Sequence, residues 1–425
     1  MDKSLLKKAA IQSVALMVAV ITSSYALQQY QTVEISASNI TEEVKDVTSD
    51  KGQIIQLEEE GAAILPETVA TTTGPAVMAT SLDELKSQTD ATIFEQLGQD
   101  FLVIKKISSG DASISLEDLY VKKSIKLKLS GINREEWNST KVMRVRGEEY
   151  FLGDPKYNEI VTQEKDEDGS VKEVITKDYG KDILHKISFT TIPDDETGIT
   201  YSEILFELDS VYAYKIYEDQ NYYFIDLRKP SDVYDKILVI DPGHGGKDAG
   251  ALSRGEKYYE KNINLGIVLA LKELLDKENI KVYYTRTADD TVFLRPRVTL
   301  ANAVDCDYFI SIHCNSNEVT SPNGTEVLYY DTKFNNISSR DLAELFSDEL
   351  GKTVELRNRG TVLKKMEDIF IMDKAEVPMV LIEIGYLSNS KDLDYLTEAA
   401  NQRSVAQGVF NGIMRAFQEL PVTRD

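Results

Sequence analysis

Apolar residues change their spacing along the chain, and each spacing predicts a different kind of structure. From Val33 to about Thr92 there is no aromatic residue, and Thr, Ser, Glu and Asp dominate, with Glu58-Glu59-Glu60 and Ala70-Thr71-Thr72-Thr73-Gly74-Pro75 as the extreme stretches. Such a segment cannot bury enough apolar surface to offset its ordering entropy. It predicts a flexible acidic linker over residues 27–92. Beyond Ile93 the pattern alternates: Ile125, Leu127 and Leu129 are separated by Lys126 and Lys128, as a half-buried strand requires. Asp168-Gly169, between Glu159-Ile160-Val161-Thr162 and Val174-Ile175-Thr176, carries a hairpin turn signal. Runs at Ile204 to Leu208, Tyr212 to Tyr217 and Tyr223 to Leu227 complete a mostly β domain over residues 93–231.

The spacing changes again after residue 231, where short apolar runs alternate with helical periods. Strands are expected at Ile237 to Ile240, Lys281 to Thr285, Tyr308 to His313, Glu326 to Tyr330 and Met379 to Ile384. Ile263, Ile267, Leu271 and Leu274 mark one helix, and Leu342, Leu345 and Leu350 another. This order predicts an α/β domain over residues 232–425, with a mixed, largely parallel sheet flanked by helices. Two folded domains plus linkers also suit a chain of 425 residues.

Composition adds a direction of travel. Lys3, Lys7 and Lys8 precede an apolar run from Ala9 to Ile21, broken by Gln12 and followed by Thr22-Ser23-Ser24-Tyr25-Ala26. That order reads as a secretory signal over residues 1–26. The run is short of the roughly 20 residues that span a bilayer, so a membrane attachment would exist only through an uncleaved signal. Either way the remainder is exported, to the medium or to the cell wall. A formal net charge of -23 argues against a nucleic-acid binder, which needs cations to neutralise phosphates. Two cysteines, Cys306 and Cys314, flank one expected strand. Eight strand residues extend about 26 Å, too far for bridging within about 7 Å, so both are expected as free thiols.

The candidate chemistry lies in the second domain. The chain has three histidines, and two fall at the ends of expected strands, where open α/β sheets place their sites. His244 follows the strand Ile237 to Ile240 in Asp241-Pro242-Gly243-His244-Gly245-Gly246, whose glycines permit a tight bend. Neither a phosphate loop nor a dinucleotide fingerprint fits that spacing. His313 ends the strand Phe309 to His313, and the period of two points Cys314 away from it. Glu260 opens the helix after the His244 loop. Each residue alone has a structural alternative: a histidine held by backbone, a glutamate favoured at a helix start. Together, two histidines, a glutamate and an open position describe a catalytic zinc site, one ion per domain. Glu383 lies in the apolar run Pro378 to Ile384, where an unpaired carboxylate is costly. It is either the partner of a buried arginine or a general base that activates the attacking water and passes the proton to a leaving amine.

These segments carry a resemblance. Asp241 to Gly250, Glu260-Lys261-x-x-Asn264-Leu265, Thr285-Arg286, Arg297-x3-Ala301-Asn302, Ser311-Ile312-His313-x-Asn315, Gly324-Thr325-Glu326, Asn358-Arg359-Gly360 and Glu383-x-Gly385-Tyr386-Leu387-Ser388-Asn389 resemble the zinc-dependent N-acetylmuramoyl-L-alanine amidases, in that family's order over about 185 residues. Cys314 stands where alanine is common, and Tyr386 where phenylalanine is usual. The resemblance implies His244, Glu260 and His313 as zinc ligands, Glu383 as the catalytic glutamate, and peptidoglycan as partner. The implied reaction is hydrolysis of the amide between N-acetylmuramic acid and L-alanine of the stem peptide. Asn315, Arg286 and Arg297 are expected either to bind substrate or to support the fold. A zinc peptidase or deacetylase on another wall bond, and a wall-binding protein with a degenerate site, are the competing readings. In the preceding domain, Leu116 to Tyr120, Ile125 to Gly131 and Phe224 to Arg228 loosely resemble the AMIN localisation module, with an unrelated β-sandwich as the alternative. The stretch from Asn335 to Asp373 is long enough to supply a regulatory helix. Oligomeric state is left open.

Overall fold

The computed structural model describes residues 78–106, 114–130, 142–165, 171–193, 200–255, 257–334 and 336–423. The secretory signal, most of the acidic linker and the Asp168-Gly169 turn lie outside the described residues. The last part of the expected linker is not a spacer: Leu82–Gln88 (α1) and Ala91–Gln96 (α2) are helices. Ser81 caps α1 by accepting from the Glu84 N–H, and Asp90 caps α2 through the Thr92 N–H. Composition averaged over the whole stretch concealed a local apolar face. Ala79, Leu85 and Ile93 pack with Phe101, Val103, Met143 and Phe224.

The mostly β region forms two antiparallel sheets. In the first, Ala213–Glu218 (β10), Tyr222–Arg228 (β11), Asp100–Lys105 (β1), Val142–Arg146 (β4) and Glu149–Phe151 (β5) lie side by side in that order. The second runs Ile114–Leu119 (β2), Ser124–Ser130 (β3), Thr200–Leu208 (β9) and Leu184–Pro193 (β8). Asn158–Lys165 (β6) and Val171–Asp178 (β7) pair as the expected hairpin. Alternation explains the layering. Leu102, Ile104 and Ile225 of the first sheet meet Ile125, Leu127 and Phe206 of the second in one core, while Phe101, Val103 and Phe224 face the helices.

The six-stranded sheet of the C-terminal domain has the order Lys281–Tyr284 (β13), Ile237–Pro242 (β12), Tyr308–Asn315 (β14), Met379–Tyr386 (β19), Thr325–Tyr329 (β15) and Asn358–Leu363 (β18). β15 is antiparallel to β19, and the other pairings are parallel, so the sheet is mixed and largely parallel as expected. One face is covered by Glu260–Leu275 (α3), Ser339–Thr353 (α5) and Ala399–Glu419 (α8), through Ile263, Ile267, Phe346, Val409 and Ile413. The other face is closed by Leu294–Ala303 (α4) and Phe370–Asp373 (α6), through Val298, Ala301 and Ile371. Lys333–Phe334 (β16) and Ile337–Ser338 (β17) pair antiparallel ahead of α5, and a further helix, Ser390–Thr397 (α7), follows β19. Within the stretch that could have supplied a regulatory helix, α5 is a core helix, with Leu342, Ala343 and Leu350 buried. Cys306 and Cys314 are buried free thiols, as expected. Among the described residues no helix is long and apolar enough to cross a membrane.

The sheet edge at β13 is not left bare. Tyr120, in the short turn Tyr120–Lys122 between β2 and β3, donates from its hydroxyl to the Tyr284 carbonyl (3.1 Å) and accepts from the Tyr284 N–H (3.2 Å). Its ring meets Tyr283 edge to face at 5.0 Å. At this one residue the outward polar groups of the edge strand are satisfied from the preceding β region.

Candidate active site

The site forms where β12, β14 and β19 end together. β12 is buried along its whole length, apolar from Ile237 to Ile240 and then carrying Asp241. Past Pro242 the chain turns sharply, and His244 adopts a left-handed φ of 63°. Two glycines leave the room that the donors need. A Cβ at Gly243 would sit 2.1 Å from the His313 ring, and one at Gly250 would sit 2.6 Å from both Glu260 Oε2 and His244 Cδ2. Backbone approach this close is available only without a side chain.

Three expected ligands converge there. His244 Nε2 is 3.1 Å from Glu260 Oε2, and His313 Nδ1 is 2.9 Å from Glu260 Oε1. Their donor atoms all lie within 4.8 Å of one another, so the group could hold a metal ion. Glu260 is fixed from several sides. The Ala251 N–H donates to Oε2 (2.8 Å), and the Cys314 N–H (3.1 Å) and Asn264 Nδ2 (3.3 Å) donate to Oε1. Cys314 contributes only this backbone group, and its thiol points into the core. Asp248 accepts at 2.9 Å from His244 Nδ1, which leaves Nε2 for the centre of the site. Burial works against charge on His244, yet hydrogen bonds to Glu260 and Asp248 carry its pKa up to about 9. At Glu260 burial acts in the opposite sense, but hydrogen bonds from His244 and His313 outweigh it and hold the carboxyl well below the usual range. The donor set therefore favours positive charge at its focus.

Glu383 stands directly opposite His313 across the β14–β19 pairing. Part of the residue reaches the surface, but Oε2 is sealed from solvent and has no hydrogen-bond partner among the described residues. Burial pushes its pKa up to about 7, helped by the nearby carboxylates of Glu260 and Glu326 and opposed by the histidines. Among the described residues no arginine pairs with Glu383.

Of the remaining expected site residues, Arg286 and Arg297 are 4% and 2% exposed. Arg286 donates to the carbonyls of Pro242, Gly243, Lys261 and Ala288. Arg297 pairs with buried Asp241 and donates to the carbonyls of Pro242, His244 and Val292. These bonds tie both guanidinium groups to the carbonyls of the His244 loop. Asn315 is half-buried at the end of β14, beside Tyr386 in register. The third histidine, His185, stacks on Tyr179 in the β region.

Asp248, Asn264 and Glu326 lie in the segments that carry the resemblance, yet their place in the site emerges only from the fold. Asn264 lies one helical turn after Glu260, a spacing that points to it; Asp248 lies in a tight turn, where helical spacing does not apply. Glu326 accepts from Tyr386 Oη at 2.7 Å and from Arg359 Nε. Its partners are 60 and 33 residues away, so no local spacing indicates what it contacts.

An open α/β sheet with a His-Glu-His cluster and a buried carboxylate at its strand ends is an arrangement for hydrolysis. Residues 238–415 match the family model described as N-acetylmuramoyl-L-alanine amidase. The chain is 35% identical to the N-acetylmuramoyl-L-alanine amidase CwlM of Bacillus licheniformis, over 42% of this chain and 68% of that one. It is 32% identical to the N-acetylmuramoyl-L-alanine amidase LytC of Bacillus subtilis, over 44% of this chain and 36% of that longer protein. Among solved structures it is similar to the catalytic domain of CwlV, an N-acetylmuramoyl-L-alanine amidase from Bacillus (Paenibacillus) polymyxa var. colistinus, with 33% identity, a TM-score of 0.40, and coverage of 44% of this chain and 99% of that one. The chain belongs to the N-acetylmuramoyl-L-alanine amidase family and is an enzyme of that class. The match leaves outside it the two sheets where an AMIN-like module was expected.

Proposed function

We propose that the protein is an exported zinc enzyme that cleaves the amide between N-acetylmuramic acid and the L-alanine of the peptidoglycan stem peptide. The observation that carries this reading is the sealed, unpartnered oxygen of Glu383 beside a converging His-Glu-His group. Donor chemistry fits zinc: two imidazoles and one carboxylate, with Asp248 behind His244 and backbone amides behind Glu260. His244, Glu260 and His313 would hold the ion. When bound, it supplies Lewis acidity toward the scissile carbonyl and lowers the pKa of water.

The chain's own residues do the rest. Glu383 accepts a proton from the water that attacks the carbonyl and delivers it to the nitrogen as the C–N bond breaks, so that the peptide leaves as a neutral amine. A carboxylate raised toward neutrality is suited to both transfers. Gly243 and Gly250 keep the donors close, and Arg286 and Arg297 stop the loop from sagging away. The lysine-led apolar N-terminus supports export to the wall.

Incubation of the purified protein with cell-wall sacculi tests the reading. New L-alanine amino termini are expected, with muramic acid carboxylates as the complementary products by mass spectrometry. Release of a different fragment would reassign the bond, and no release with zinc present would refute the reading.

A further inference from the structure

The strand ends carry more charge than this reaction uses. His313 is paired with Glu383 across β14 and β19, and Glu383 with Glu326 across β19 and β15. Directly paired residues share a face, and neighbouring strands lie about 4.8 Å apart, so the three side chains form a row. β18 supplies a fourth member. At the register shift between Thr325 and Val327, Arg359 donates from Nε to Glu326 Oε1. Tyr386 closes the group. Its hydroxyl donates to the same oxygen at 2.7 Å, and the Arg359 guanidinium lies 5.7 Å from the centroid of its ring.

Arg359 is thus held by one nitrogen and one ring face while its side chain remains 34% exposed. Among the described residues its two terminal nitrogens donate to no partner. A guanidinium anchored through Nε presents those nitrogens as a fork, the geometry that binds a carboxylate at two points. In a chain with a net charge of -23, an acidic ligand needs such a local cation.

The direction of the substrate follows from the proposed reaction, on which this step rests. Glu383 must come within hydrogen-bond reach of the leaving nitrogen. With the histidines and Glu260 on one flank of Glu383, the peptide attached to that nitrogen leaves along the other, toward Glu326 and Arg359. Two extended residues cover about 7 Å, and two strand spacings about 10 Å. An arginine side chain bridges the remainder. We propose that Arg359, braced by Glu326 and Tyr386, is a specificity residue that binds a carboxylate on the second residue of the stem peptide, the one after L-alanine. The ligand class is an acidic peptide.

The test compares two muramoyl dipeptides that differ only in whether the second residue carries a free carboxylate or a carboxamide. For the wild-type holoenzyme the ratio of kcat/KM, acid over carboxamide, is expected at about 10- to 100-fold, the strength of a charge-assisted bidentate pair, and to reside mainly in KM. Arg359→Gln collapses the ratio to near one, Arg359→Lys leaves an intermediate value, and Tyr386→Phe lowers it in part. Calorimetric binding of the same two peptides to zinc-loaded Glu383→Gln protein should give the same preference without turnover. If wild-type enzyme hydrolysed neither peptide, the amidase reading would fail while the calorimetry still tested the subsite. A ratio near one for wild type in both measurements, or a ratio retained by folded Arg359→Gln, overturns the proposal.

Discussion

Glu383 and His313 face each other across two parallel strands, one carrying a carboxylate oxygen with no partner, the other a ring committed to Glu260. That asymmetry separates stability from function. Burial and the neighbouring carboxylates of Glu260 and Glu326 disfavour a negative charge on Glu383, and removing that charge relieves a cost on the order of 1 kcal/mol or more. Glu383→Gln is therefore expected to abolish turnover and to raise the melting temperature of the metal-free protein, by about 2–4 °C per kcal/mol for a domain of this size. Calorimetric melting of both proteins after chelation checks it. An unchanged or lower midpoint would mean that the carboxylate is satisfied in solution.

Asp248 is expected to tune the metal through His244. The 2.9 Å contact to Nδ1 fixes the tautomer that leaves Nε2 free. Asp248→Ala should weaken zinc affinity about 10- to 100-fold, as loss of such a hydrogen-bonded support typically does. Competition with a chromophoric chelator measures it. Activity should return at excess zinc, because no ligand has been removed; failure to recover at saturation would give Asp248 a different role.

Tyr120 joins the β region to the edge of the catalytic sheet. Tyr120→Phe keeps the edge-to-face packing on Tyr283 and removes the hydroxyl that serves both the N–H and the carbonyl of Tyr284. A loss of about 1–3 kcal/mol in unfolding free energy is expected, since a buried backbone group is left unsatisfied. Denaturant titration reads this directly, and a change below a few tenths of a kcal/mol would show that the contact contributes nothing in solution.

Much of the site was legible in one dimension because its parts follow local rules. Strand ends can be placed from apolar runs that stop at Ile240 and His313, and a helix start from the periodicity after Glu260. Glu383 was visible because a carboxylate inside Met379–Tyr386 violates the pattern around it. The two free cysteines followed from the length of one strand. The helix Leu82–Gln88 was missed because its apolar face is short and sits at the end of a polar stretch.

What the sequence by itself determined is therefore the set of elements and the residues standing at their ends. Tertiary structure decided which ends meet. Placement of β15 between β19 and β18, antiparallel to β19 and parallel to β18, brings Glu326 beside Glu383 and within reach of Arg359 and Tyr386. It also made Arg286 and Arg297 loop braces, because the strand order buries them under the carbonyls of Pro242 and Gly243. Periodicity records which face of its own strand a residue occupies. Strand order and direction arise from packing between segments far apart in the chain, and no local spacing encodes them.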